Sequence, residues 1–160
     1  MNRAAVGMLV LSALFLISGP VVAETFSHEE GGIEFEVPDG WQVQLDEEVL
    51  TLSTPDGTVV FSFWVPEADT WEAAVDAMFE EIQNLVEDPD IKHQGDTELN
   101  GMPVYEVSGT GLVNEIPTEW AFNLIIAKKP VILLVLSNPK VWEQNRPVVK
   151  KFAESIRKTD

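Results

Sequence analysis

GIEFEVPDGW, residues 32–41, is the stretch on which the fold turns. Ile33, Phe35 and Val37 alternate with Glu34 and Glu36, the period of two that a half-buried strand requires. Pro38-Asp39-Gly40 then carries the chemistry of a tight turn, because proline presets one backbone angle and glycine accepts a left-handed one. Trp41 takes the chain back toward the interior. The same turn chemistry recurs at Pro55-Asp56-Gly57, so both triplets read as hairpin corners between strands predicted over 33–37, 41–45, 49–53 and 58–65.

Upstream of this stretch, Arg3 forms a short basic region and residues 4–17 are apolar. Gly19-Pro20 and Val21-Val22-Ala23 follow. That order is the anatomy of a cleavable signal peptide over 1–23, cut after Ala23. A retained membrane anchor would need about 20 apolar residues, and Gly19-Pro20 interrupts the run at that length. The sequence has no cysteine, which rules out lipid attachment of the bacterial lipoprotein kind and any disulfide staple. Residues 24–31, with His28, are polar and end in Gly-Gly; they read as a flexible lead-in to a single domain over 32–160. The expected location is periplasmic or secreted, with no transmembrane anchor after cleavage.

With 27 acidic and 10 basic residues, the net charge is −17. Such a surface repels nucleic acid and anionic lipid headgroups. It accords with a basic partner, a cation, or plain solubility.

Beyond residue 65 the apolar period lengthens. Trp71, Ala74, Val75, Met78, Phe79, Ile82, Leu85 and Val86 line one face of a helix. Asp69 with Glu72 is a candidate cap, and Asp88-Pro89 is expected to end the helix. Strands are predicted over 91–99, 104–112, 118–127 and 131–137, with an Asn100-Gly101 corner. AFNLIIAKKPVILLVLS resembles a membrane span in hydropathy, but Lys128-Lys129-Pro130 in its middle forbids one. It reads instead as a hairpin of two central strands, apolar on both faces because helices cover both. Asn138-Pro139 opens a short turn, and Val148, Val149, Phe152 and Ile156 give a closing helix its stripe, with Pro147 in its first turn. Runs of strands separated by single helices predict an α+β domain, a mainly antiparallel sheet flanked by helices in an α/β/α sandwich.

In this order the chain resembles the PsbP/DcrB-like superfamily of small exported α/β/α sandwich proteins. The resemblance spans nearly the whole domain and rests on GIEFEVPDGW, ELNGMPVYEVSGTG, KKPVILLVLS and KFAESIRK. It implies an accessory, assembly or binding role, since the superfamily shares no catalytic motif to carry over. The basic residues through which photosystem members attach have no match here, and the DcrB-type envelope proteins are nearer in size.

The residues themselves point the same way. Only His28 and His93 exist, so a histidine-based triad has one serious candidate, His93, which reads as an exposed strand residue. No Gly-x-Ser-x-Gly elbow occurs, and Gly109-Thr110-Gly111 lacks the third glycine of a phosphate cradle. Glu87, Asp88, Asp90 and His93 form the one candidate divalent-cation site, without EF-hand spacing. Among five tryptophans, Trp41, Trp71 and Trp142 are expected to pack inward. Trp64 and Trp120 are the candidate partner or ligand residues, each able to line an apolar groove with its indole N–H at the rim; ordinary sheet core is the competing reading. The expected function is a non-enzymatic envelope protein acting on an unknown envelope protein partner through protein contact, without a cofactor. A small-ligand or divalent-cation carrier is the alternative.

Overall fold

The alternation at 33–37 folds as expected: Ile33 and Phe35 are fully buried, and Glu34 and Glu36 point outward. The computed structural model describes residues 24–160, so the signal peptide and its cut at Ala23 lie outside the described residues. In chain order the strands before the first helix are β1 (Glu24–His28), β2 (Ile33–Val37), β3 (Gln42–Asp46), β4 (Val49–Ser53) and β5 (Val59–Trp64). Helix α1 (Trp71–Leu85) leads to β6 (Glu87–Leu99), β7 (Met102–Val113), β8 (Ile116–Ile126) and β9 (Pro130–Ser137). Helix α2 (Trp142–Ser155) and a short β10 (Arg157–Lys158) close the chain.

Seven strands form one sheet in the order β3-β4-β5-β9-β8-β7-β6, with every neighbouring pair antiparallel. The β8–β9 hairpin occupies the middle of the domain, as its apolar composition requires. Ala74, Met78 and Ile82 of α1 cover one face, against Val107, Phe122, Leu124, Ile132 and Leu134. The other face is covered by α2 and by a second, three-stranded sheet, β1-β2-β10. The domain is therefore α+β, mainly antiparallel, with helices on both sides.

Two turns of like chemistry have different outcomes. Both Gly40 and Gly57 adopt positive φ, 79° and 68°. Pro55-Asp56-Gly57 joins antiparallel neighbours β4 and β5, as a hairpin corner should. Pro38-Asp39-Gly40 instead passes the chain from one sheet to the other, because β2 pairs with β1 and β10 rather than with β3. Residues 24–31 are accordingly no flexible lead-in. Phe26 lies opposite Phe35 in the β1–β2 ladder, and His28, half-buried, accepts a hydrogen bond from Gly31 N at Nδ1 (3.2 Å).

Within the β4–β5 corner, the Asp56 carboxylate accepts hydrogen bonds from Thr54 Oγ1 (2.7 Å), Thr58 Oγ1 (2.8 Å) and Thr58 N (3.1 Å). These bonds, that from Thr54 first, hold its pKa below the ordinary 3.8. A depressed carboxylate stabilises the fold above its unfolded pKa and loses that contribution as pH falls through the folded value. The melting temperature of Asp56→Asn is thus expected to lie below that of the wild type at neutral pH, and the gap to close below about pH 4. A gap that persists under acid would show that the carboxylate charge is irrelevant to the turn.

The helix ends differ from expectation in instructive ways. Thr70, not Asp69, caps α1, accepting from Ala73 N at 3.2 Å. Val86 ends that helix, and Asp88-Pro89 already belongs to the edge strand β6. Pro147 sits in the second turn of α2 rather than the first, because Asn138 shapes its own turn by accepting from Lys140 N and the helix starts immediately afterwards. The missing N–H leaves the Glu143 carbonyl without its helical donor, at an exposed residue of the helix. KFAESIRK is helical only to Ser155; Arg157 pairs with Glu34 of β2, its Nε donating to Glu34 Oε1 at 2.6 Å. Among the described residues no helix is long and apolar enough to cross a membrane.

Candidate functional site

The strands β7, β8 and β9 present different chemistry on their two faces. On the α1 side the cross-strand rows Tyr105–Leu124–Ile132, Val107–Phe122–Leu134 and Gly109–Trp120–Leu136 are almost wholly apolar. On the α2 side, Val104–Ile125–Val131 is buried beneath the small sheet, but the next rows turn polar: Glu106–Asn123–Leu133, Ser108–Ala121–Val135 and Thr110–Glu119–Ser137. Polar side chains on an inner face mark the place where the covering layer stops.

That layer is α2. Phe152 seats the carboxyl-terminal half of the helix among Phe35, Trp41, Phe61 and Phe63. Toward the amino-terminal half a cleft of about 590 Å³ opens, walled by Trp142, Arg146 and Val149 of α2 and floored by Glu106, Ser108, Ala121 and Asn123. Its volume lies in the ordinary range for a binding site. The floor hydrogen bonds are modest: Ser108 Oγ donates to Glu106 Oε1 (2.9 Å) and Asn123 Nδ2 to the Leu133 carbonyl (3.4 Å). Its two cations are already engaged, Arg146 with Glu143 (2.7 Å) and Lys92 with Asp90. Among the described residues Glu119 has no basic partner, so the cleft presents an acidic floor beneath a wall of Trp142, Val149 and the Glu143-paired Arg146.

Of the residues singled out by sequence, Trp120 borders the cleft but packs its ring on the other face of the sheet, and Trp64 lies away from the cleft. Trp120 is 3% exposed and Trp64 half-buried, and each meets the Phe122 ring edge-on, at 6.2 and 6.4 Å. They pack the α1 core and do not together form a solvent-facing groove. Among the described residues the Trp120 indole N–H has no hydrogen-bond partner. Trp41 packs as expected, against Phe61. Trp71 does not: it is 37% exposed and lies edge-on to Tyr105. Trp142, expected to pack, stands half-buried at the cleft wall.

Glu87, Asp88, Asp90 and His93 are strung along β6 instead of converging at a helix end, and Asp90 is taken by Lys92. Among the described residues no three of His, Asp and Glu are grouped so as to hold a metal ion. His93 is exposed and lies opposite Ser108 in the β6–β7 ladder, yet the Ser108 hydroxyl goes to Glu106, not to the imidazole. Gly109 and Gly111 serve close packing, not phosphate: a Cβ at Gly109 would collide with the Asp90 carbonyl where β6 is irregular.

What the sequence reading missed is the alternation of Glu106, Ser108 and Thr110, and of Glu119, Ala121 and Asn123, opposite a continuous apolar row. That pattern is visible in VYEVSGT and TEWAFN. It acquires meaning only once α2 is known to leave this face bare.

No protein-family model matches the sequence, and no curated protein matches it. Solved structures do. The cyanobacterial PsbP protein (CyanoP) of Synechocystis superposes with a TM-score of 0.62, over 88% of this chain and 96% of that one, at 16% identity. The chain has the PsbP-like fold. The Ran-binding protein Mog1p of Saccharomyces cerevisiae follows the same path with a TM-score of 0.53, over 87% and 96% of the two chains, at 9% identity. A Pseudomonas aeruginosa protein of unknown function, described as a putative regulator, gives 0.52 over 83% and 94%, at 12% identity. In this PsbP-like fold the cleft is a place where one helix only half covers a sheet.

Proposed function

We propose that this chain is a non-enzymatic, exported envelope protein that binds a partner protein in the cleft between α2 and the β7–β8–β9 face. The cleft itself carries the reading: an inner sheet face set with Glu106, Ser108, Glu119 and Asn123 and left open by its own helix. Acidic groups beside Trp142, Val149 and Ala121 suit a partner side chain that is apolar along its stem and cationic at its tip. Two further facts support binding over catalysis. A serine bonded to a carboxylate, without a histidine to relay its proton, is not an activated nucleophile. The PsbP-like fold is also that of Mog1p, a protein named for binding Ran.

Ala121→Trp fills the cleft from its floor. The variant is expected to keep the wild-type melting temperature within a few degrees and to lose a specific protein that the wild type retains in parallel affinity purifications from the native envelope. Recovery of identical proteins by both would reject the cleft as the contact.

The cleft's volume also supports a second reading, a small-molecule carrier. Trp142 at the wall would report it. Trp142 fluorescence and melting temperature unmoved by metals and metabolite pools would dispose of that reading.

A further inference from the structure

We propose that the free edge of β3 is a second docking site, which takes an extended segment of a partner protein alternating apolar with basic residues. Among the described residues the seven-stranded sheet has two free edges, and they are built differently. Edge β6 carries Glu87, Asp88, Asp90, Lys92, Asp96 and Glu98, includes Pro89, and breaks register at two points. Charges, proline and bulges are the devices by which an edge is closed to further pairing. Edge β3 has none of them except Asp46: QVQLD runs in unbroken register against β4, and all five of its residues are exposed.

The side chains of β3 are unusual for an edge. Val43 and Leu45 lie opposite Leu52 and Leu50, which puts them on the buried face of the sheet. Yet Leu45 is 69% exposed and Val43 37%, because the three-stranded layer above stops at β1. Phe26 and His28 of β1 form the far wall of a groove whose floor is Val43, Leu45 and Leu50. An added strand of five residues, about 17 Å long, would cover this row with alternate apolar side chains while its backbone paired with β3.

Charge selects the occupant. Among the described residues no lysine or arginine lines the groove, Glu29 and Glu48 stand at its rim, and Asp46 and Glu47 end the strand. A second copy of this chain would bring the same acids and another −17 charge to the contact. A basic strand meets complementary charge instead, its Lys or Arg positions falling beside Gln44 and Asp46 on the opposite face. The groove shares no lining residue with the α2 cleft.

A labelled synthetic seven-residue peptide alternating lysine with leucine, titrated by fluorescence anisotropy at physiological salt, tests this. Saturable one-to-one binding is expected, weakened about tenfold or more by Leu45→Gln and by N-methylation of alternate peptide nitrogens, and unchanged by Ala121→Trp. Leu45→Gln should melt at the wild-type temperature, since the side chain is exposed. Equal binding of the N-methylated peptide would reduce the effect to charge attraction and overturn the proposal, as would absence of saturable binding. A sedimentation dimer that Leu45→Gln dissolves would give the edge to a second copy and overturn it equally.

Discussion

Phe152→Ala is expected to cost about 4 kcal/mol of unfolding free energy, measured as a lower denaturant midpoint at unchanged slope. Phe152 is 1% exposed, and its ring lies 4.6 Å from Phe61, 5.5 Å from Phe35 and Trp41, and 6.2 Å from Phe63. Those four come from β2, from the residue before β3 and from β5, so one side chain ties the small sheet, the large sheet and α2 together. Truncation removes the transfer energy of the ring and leaves a void that four rigid aromatic neighbours cannot close. Phe152→Leu keeps apolar contact and should recover about half of the loss. A cost below about 1 kcal/mol for the alanine variant would show that α2 is not packed as described.

Asn100→Asp is the second large effect, a loss of about 2 kcal/mol near neutral pH. The Asn100 amide donates to the carbonyl oxygens of Ala153 (3.2 Å), Glu154 (3.2 Å) and Ile156 (2.5 Å), gathering the acceptors at the end of α2, of which Ala153 also takes the Ile156 N–H. A carboxylate in that position faces three carbonyls and the negative end of the helix dipole, so it both removes the donor and adds repulsion. Asn100→Gly keeps the left-handed backbone (φ 49°) and loses only the hydrogen bonds. The aspartate variant should therefore melt below the glycine variant at neutral pH. The difference should shrink under acid, where a protonated carboxyl donates again. Equal melting temperatures for the two variants would mean that the amide does not clamp the helix.

Much of the fold was legible. GIEFEVPDGW gave a strand and a turn, the apolar stripe from Trp71 to Val86 gave α1, and Lys128-Lys129-Pro130 separated two central strands. Each of these rests on interactions within a few residues, which periodicity and turn chemistry report directly. The site was less legible. Trp64 and Trp120 drew notice as large amphipathic side chains, but whether such a residue packs or faces water depends on what lies above it. For both, that is Phe122 and the α1 core.

The sequence alone determined most of the elements, β1 and β10 excepted, and the turn at each corner, because proline, glycine and apolar period act locally on the backbone. It did not determine partners. Pro38-Asp39-Gly40 and Pro55-Asp56-Gly57 are nearly the same turn, yet one closes a hairpin and the other hands β2 to a different sheet, since backbone hydrogen bonds are blind to sequence and pairing is settled by which apolar rows can be buried together. The same tertiary choice set Phe152 at the meeting of three elements and held α2 by Asn100. It left the inner faces at Glu106–Asn123 and at Val43–Leu45 without a covering layer, and those bare faces are where binding is proposed.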